Sequence, residues 1–158
     1  MRKGQIGSID LFIAFFIFML LIAILVGMWN LYYTRLNEGM EYEQMRLLSF
    51  HVSDIFVKTP GYPSAWESSP STAEVIGLAG SDRVLSSAKV NAFASLNYPM
   101  AKEKLKLAGY DFRFRIRDLS NNPLIVSGTN ISGDTSIVTE RYITYENKKA
   151  IMEFALWK

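Results

Sequence analysis

The chain has 158 residues, with 17 Lys and Arg against 15 Asp and Glu, one His and no Cys. A net charge of +2 argues against a phosphate-tracking nucleic-acid surface, and no nucleic-acid partner is expected. The missing thiols exclude disulfides, cysteine nucleophiles and zinc–thiolate sites.

The first predicted element is an apolar helix. No charged residue occurs from Leu11 to Thr34. At about 1.5 Å per residue this run is long enough for a bilayer core roughly 30 Å thick. It exceeds the ~7–15-residue apolar region of a secretory signal, and no small-x-small cleavage site follows it. Arg2 and Lys3 precede the run and Arg35 and Arg46 follow it, so positive charge decides little about orientation. A short N-terminal tail before a large remainder favours an external domain.

Beyond Leu36 the same helix is expected to continue, because no proline occurs before Pro60. Met45, Leu48, Val52 and Ile55 recur at spacings of three and four, the pattern of one apolar stripe. One helix from about Ser8 to about Lys58 follows, apolar all round in its first half and on one face in its second. Gly27 and Gly39 are its weak points, each costing about 1 kcal/mol relative to Ala. TPGYPSAW then ends it, with Pro60-Gly61 suited to the centre of a type II turn. Tyr62 and Trp66 in this stretch read as an exposed contact surface or as a lid on the base of the helix.

Glu67 to Ser87 reads mostly as loop. AKVNAFASL is a short helix capped by Ser86 or Ser87, and Pro99 opens a second, MAKEKLKLAG, that Gly109 ends. Lys102, Lys104 and Lys106 give it a solvated face. The period then changes. FRFRIRD alternates Phe112, Phe114 and Ile116 with Arg113, Arg115 and Arg117, as a half-buried strand does. Asn121-Asn122-Pro123 breaks it, PLIVSG resumes it, and 129–135 is a polar loop. SIVTERYITYE and AIMEFALW are two further strands joined at Asn147-Lys148. These strands predict an antiparallel β-meander covered by the helix stripe, an α+β fold. The arginine row reads as a solvent face paired with Glu140 or Glu153, or as a contact for an acidic neighbour. Asn130-Ile131-Ser132 is an N-glycosylation sequon.

Chemistry is sparse. His51 falls in line with Leu48 and Ile55, a packed or rim position, and no second His or Cys exists to share a metal. No phosphate-cradling glycine pattern and no Ser-His-Asp arrangement occurs. No catalytic residue, metal or cofactor is expected.

The leader Lys3-Gly4-Gln5, with Ser8, Asp10 and the long apolar helix, resembles the class III signal peptides of archaeal type IV pilin-like proteins. TPGYPSAW followed by Ile76-Gly77-Leu78-Ala79 is similar to a pattern in their ectodomains. The resemblance implies cleavage by a prepilin peptidase on the cytoplasmic side, after Gly4, with Gln5 and Asp10 then serving filament assembly. The family's acid usually stands fifth in the mature chain, whereas Asp10 stands sixth after such a cut. Either the register carries one extra residue or cleavage follows Gln5; a small residue before the bond favours Gly4.

The implied organisation is a leader at 1–4, a transmembrane or filament-core helix at 5–35 and an extracellular pilin-like domain at 36–158. The implied function is that of a structural subunit, a minor one, of a pilus-like surface filament. It waits in the cell membrane and then joins the filament outside. Its partners are the peptidase, other pilin subunits, the membrane and a membrane assembly platform. The alternative is an uncleaved single-pass anchor carrying an adhesion or receptor domain.

Overall fold

The computed structural model describes residues 3–133 and 135–158, and the side chains of 9–37, 39–133 and 135–158. The chain divides into two compact units, Met1–Glu43 and Gln44–Lys158. Helix α1, Lys3–Lys58, contributes to both. It runs unbroken through Gly27 and Gly39, because about 1 kcal/mol at each is too little to interrupt so long a run of helix-compatible residues. It stops where Pro60 disfavours a helical Thr59. The N–H and Oγ1 of Thr59 both bond back to the Ile55 carbonyl, at 3.0 and 2.9 Å.

Within the second unit, α1 buries Met45, Ser49, Val52, Ser53, Phe56 and Val57. This face shares Met45 and Val52 with the expected stripe, but Leu48 and Ile55 are only half-buried on its flank. Two of the buried positions are serines, which a count of apolar residues passes over. The small Ser49 side chain lets the helix approach the sheet closely, while the Ser53 hydroxyl donates back to the Phe50 carbonyl at 2.8 Å. The Ser49 hydroxyl lies 2.8 Å from that of Thr139 and 3.5 Å from the Phe154 carbonyl. At the centre, the Phe56 ring stands edge-on to Phe93, Phe114 and Phe154, with centroids 5.2, 5.6 and 5.7 Å away.

The segment expected to be loop carries two 3₁₀ turns, Trp66–Ser68 and Pro70–Thr72, and two short strands, β1 (Ala79–Ser81) and β2 (Val84–Leu85). Helix α2, Ser87–Ala94, has Ser86 as its N-cap residue. Helix α3, Tyr98–Lys104, ends well before Gly109. Lys106 takes the left-handed conformation instead (φ 55°), and the Leu107 and Lys106 N–H groups bond to Lys102 and Glu103 carbonyls at 3.0 and 2.9 Å. This is a Schellman motif, closed early because Leu107 is fully buried and draws the chain inward.

Four longer strands follow: β3 (Asp111–Asp118), β4 (Pro123–Gly128), β5 (Ser136–Tyr145) and β6 (Lys148–Trp157). The six-stranded sheet has the order β1-β2-β5-β6-β3-β4. Two expectations are corrected here. The sheet is mixed, since β2 runs parallel to β5, and the long strands are not a meander, since β3 pairs with β6 and leaves β4 at the edge. Every residue of β6 from Ala150 to Trp157 is buried. A strand so covered on both faces belongs in a sheet interior, whereas the more exposed β4 tolerates an edge. The β5–β6 turn falls at Glu146-Asn147, both with positive φ (49° and 60°), one residue earlier than expected.

Candidate functional surfaces

In the first unit the described side chains from Ile9 to Met40 are exposed, and most are large and apolar. Among the described residues α1 is the one helix long and apolar enough to cross a membrane. Trp29, Tyr32 and Tyr33 lie just before Arg35, where the uncharged run ends. Aromatic rings with polar tips are enriched at boundaries between lipid and water. Asp10 is exposed. The Gly4–Gln5 bond lies in helical backbone, but the side chains of 1–8 fall outside the described residues, and so does any pairing of Asp10 with Gln5.

The loop after α1 separates the two aromatics read together. Tyr62 is 62% exposed, but Trp66 is 0% exposed, and its indole N–H donates to the Gly77 carbonyl at 2.9 Å. Trp66 is therefore core and not a contact surface. The reason is a glycine pair. Gly61 has φ +84°, and a Cβ there would stand 2.6 Å from the Val75 carbonyl and 2.7 Å from the Gly77 nitrogen, so the two segments meet backbone to backbone. Trp66 closes over this contact. Lys89, on α2, fastens the loop: its buried ammonium donates to the Pro60 and Ser64 carbonyls at 2.5 and 2.7 Å. No local pattern marked Lys89, because its partners lie some thirty residues away.

On the outer face of the sheet the arginine row meets the two carboxylates the alternation pointed to. Arg115 grips Glu153 through Nε (2.6 Å) and Nη2 (2.8 Å), and Arg117 donates to Glu153 and, at 2.9 Å, to Glu140. Glu153 is only 6% exposed. The bonds from Arg115 hold its carboxyl below the usual value, burial works against them, and Arg117 adds to the lowering. The partners in turn raise both guanidinium values. Arg113 forms no ion pair among the described residues. Arg141 is the exception on the inner face. Its guanidinium lies 4.2 Å above the Phe50 ring and 3.7 Å from Asp54, pinning β5 to α1.

Remaining candidates resolve simply. His51 is exposed on the rim of a cavity of about 240 Å³ formed with Leu48, Ile55, Val75 and Leu105. Asn130 is exposed just after β4. No group of His, Cys, Asp or Glu among the described residues is arranged to hold a metal ion. No protein-family model, curated protein or solved structure matches the chain.

Proposed function

We propose that this chain is a structural, non-enzymatic subunit of an archaeal type IV pilus-like filament, held in the membrane by the first part of α1 until its leader is cut after Gly4. One observation carries the reading: a single unbroken helix, uncharged and apolar on all sides from Leu11 to Thr34, buries one face against a sheet at its C-terminal end. A helix apolar all round needs lipid or other helices about it. Exchanging one for the other is nearly neutral, because lipid and Leu are similarly apolar, so the same segment serves an anchored and an assembled subunit. Specificity then falls to packing and to Asp10, whose carboxylate is tolerable near the interface and in a filament core needs a cation such as the new Gln5 amine. The irregular domain with its polar outer loop suits a minor subunit.

Co-expression with an archaeal prepilin peptidase tests this. The chain is expected to lose the mass of its first four residues and to begin at Gln5, while Gly4→Leu stays full length because a pocket shaped for glycine excludes it. A chain that keeps Met1 supports the anchored adhesion domain instead. Equal processing of both forms overturns the filament reading.

A further inference from the structure

β4 is an open edge of the sheet. In its antiparallel pair with β3, Arg113 faces Gly128, and the Thr129 N–H bonds to the Phe112 carbonyl at 3.1 Å. Hydrogen-bonded and non-hydrogen-bonded pairs alternate along such a ladder. Ile125 and Ser127 therefore direct their backbone groups to β3, and Val126 and Gly128 direct theirs to the open side. No backbone or side-chain partner for those two residues occurs on that side among the described residues. Pro123 and the irregularity between Ile116 and Arg117 close the far end of the strand to regular pairing. The remaining stretch carries no charge, the ordinary protection of an edge.

The side chains beside this edge narrow what fits it. Val126 is 55% exposed on the outer face. Gly128 has φ +97°, and a Cβ there would stand 3.0 Å from Arg113 Cα and closer still to the Phe112 carbonyl, so the position must lack a side chain. Nothing on that face of β4 then separates Arg113 from the edge. Arg115 and Arg117 are matched by Glu153 and Glu140, which leaves Arg113 as an unmatched cation among the described residues.

We propose that the β4 edge accepts an extended acidic peptide segment by strand addition. Val126 and Gly128 supply the main-chain hydrogen bonds. An apolar residue packs beside Val126, and a carboxylate opposite Gly128 meets Arg113. In an antiparallel partner the pattern, read from N to C, is acidic–x–apolar. A second copy paired through β4 fits less well. It leaves both Arg113 residues unmatched, and two six-residue strands bury less than the roughly 1,000 Å² a stable interface requires. The site does not depend on how the chain is anchored or processed.

The test titrates the fluorescein-labelled peptide TETVTV, with TQTVTV and TKTVTV as counterparts, into the full chain in detergent micelles and reads anisotropy. TETVTV is expected to bind saturably and about three- to fivefold more tightly than TQTVTV, the upper part of the range of a partly exposed ion pair, with TKTVTV weaker again. Arg113→Gln should make TETVTV and TQTVTV equal. Val126→Pro removes an N–H aimed at solvent and no ladder bond, so it should leave thermal unfolding unchanged and abolish binding of all three. In the natural chain, hydrogen exchange at the Val126 and Gly128 amides should slow when TETVTV is added, a readout that needs no variant. Four results overturn the proposal: no saturable binding, equal binding of TETVTV and TKTVTV, binding retained in Val126→Pro, or self-association of the natural chain that excludes the peptide and is lost in Val126→Pro.

Discussion

Glu153 ties two arginines to one carboxylate inside the sheet, and its environment makes a pH-dependent contribution to stability. Arg115 and Arg117 hold its carboxyl below the ordinary value of 4.5. A carboxyl lowered in the folded state contributes stability that is complete above the unfolded value and is lost as pH falls through the folded one. The melting temperature of the full chain in detergent is therefore expected to be steady from pH 7 to about 5 and to fall below about 4.5. Glu153→Gln should cost about 1–3 kcal/mol at pH 7, since two guanidinium groups lose a charged acceptor, and its acid limb should be shallower. Asp111 and Asp54 are lowered by bonds from Lys102 and Lys58 respectively, so some slope should persist in the variant. A variant whose acid limb matches that of the natural chain would show that Glu153 is not a source of the dependence. At this scale the alternation of FRFRIRD made the arginine–glutamate pairing legible, because the two candidate carboxylates fall on strands of the same period. The ammonium of Lys89 was not legible, because its two acceptors are backbone carbonyls that any residue carries.

Among the elements, the C-terminal part of α1 shows how far periodicity reaches. Counting apolar residues placed the stripe through Leu48 and Ile55, yet the apolar residue of α1 with no exposed surface is Phe56, between Phe93, Phe114 and Phe154. Phe56→Ala should cost about 3–5 kcal/mol by emptying the centre of the aromatic cluster. Leu48→Ala should cost less, about 1–2 kcal/mol, because half-buried methyls lose less on truncation and the adjoining cavity can relax. Chemical denaturation of the two variants ranks them, and an equal or reversed ranking would return the stripe to its sequence-based position. The ends of elements were read with similar accuracy. Pro60 stopped α1 as expected, but α3 closed at Lys106 and not Gly109. A glycine marks where a left-handed residue is easiest, whereas the burial of Leu107 decided where one was needed.

For the whole molecule, the absence of cysteine makes orientation measurable without background. Thr129→Cys places one thiol in an exposed loop of the second unit. In intact cells a membrane-impermeant maleimide is expected to label it, as an external domain requires; labelling only after lysis would put the domain on the cytoplasmic side and set aside the surface-filament reading.

Local sequence determined the uncharged run, the single helix from it into the second unit, the breaks at Pro60 and Pro123, and four long strands, with the inward and outward faces of β3. The helix and strand patterns depend on the fixed direction of neighbouring side chains, a period of 3.6 or 2 that the chain carries wherever it folds, and the breaks on proline's ring and missing N–H. Only the tertiary structure decided that β6 lies between β5 and β3, that β2 joins in parallel, and that Ser49, Ser53 and Trp66 are buried. A backbone ladder can pair with almost any other strand, so the order is set by which arrangement buries the most apolar surface over residues distant in the chain. The exposed edge of β4 is a product of that choice.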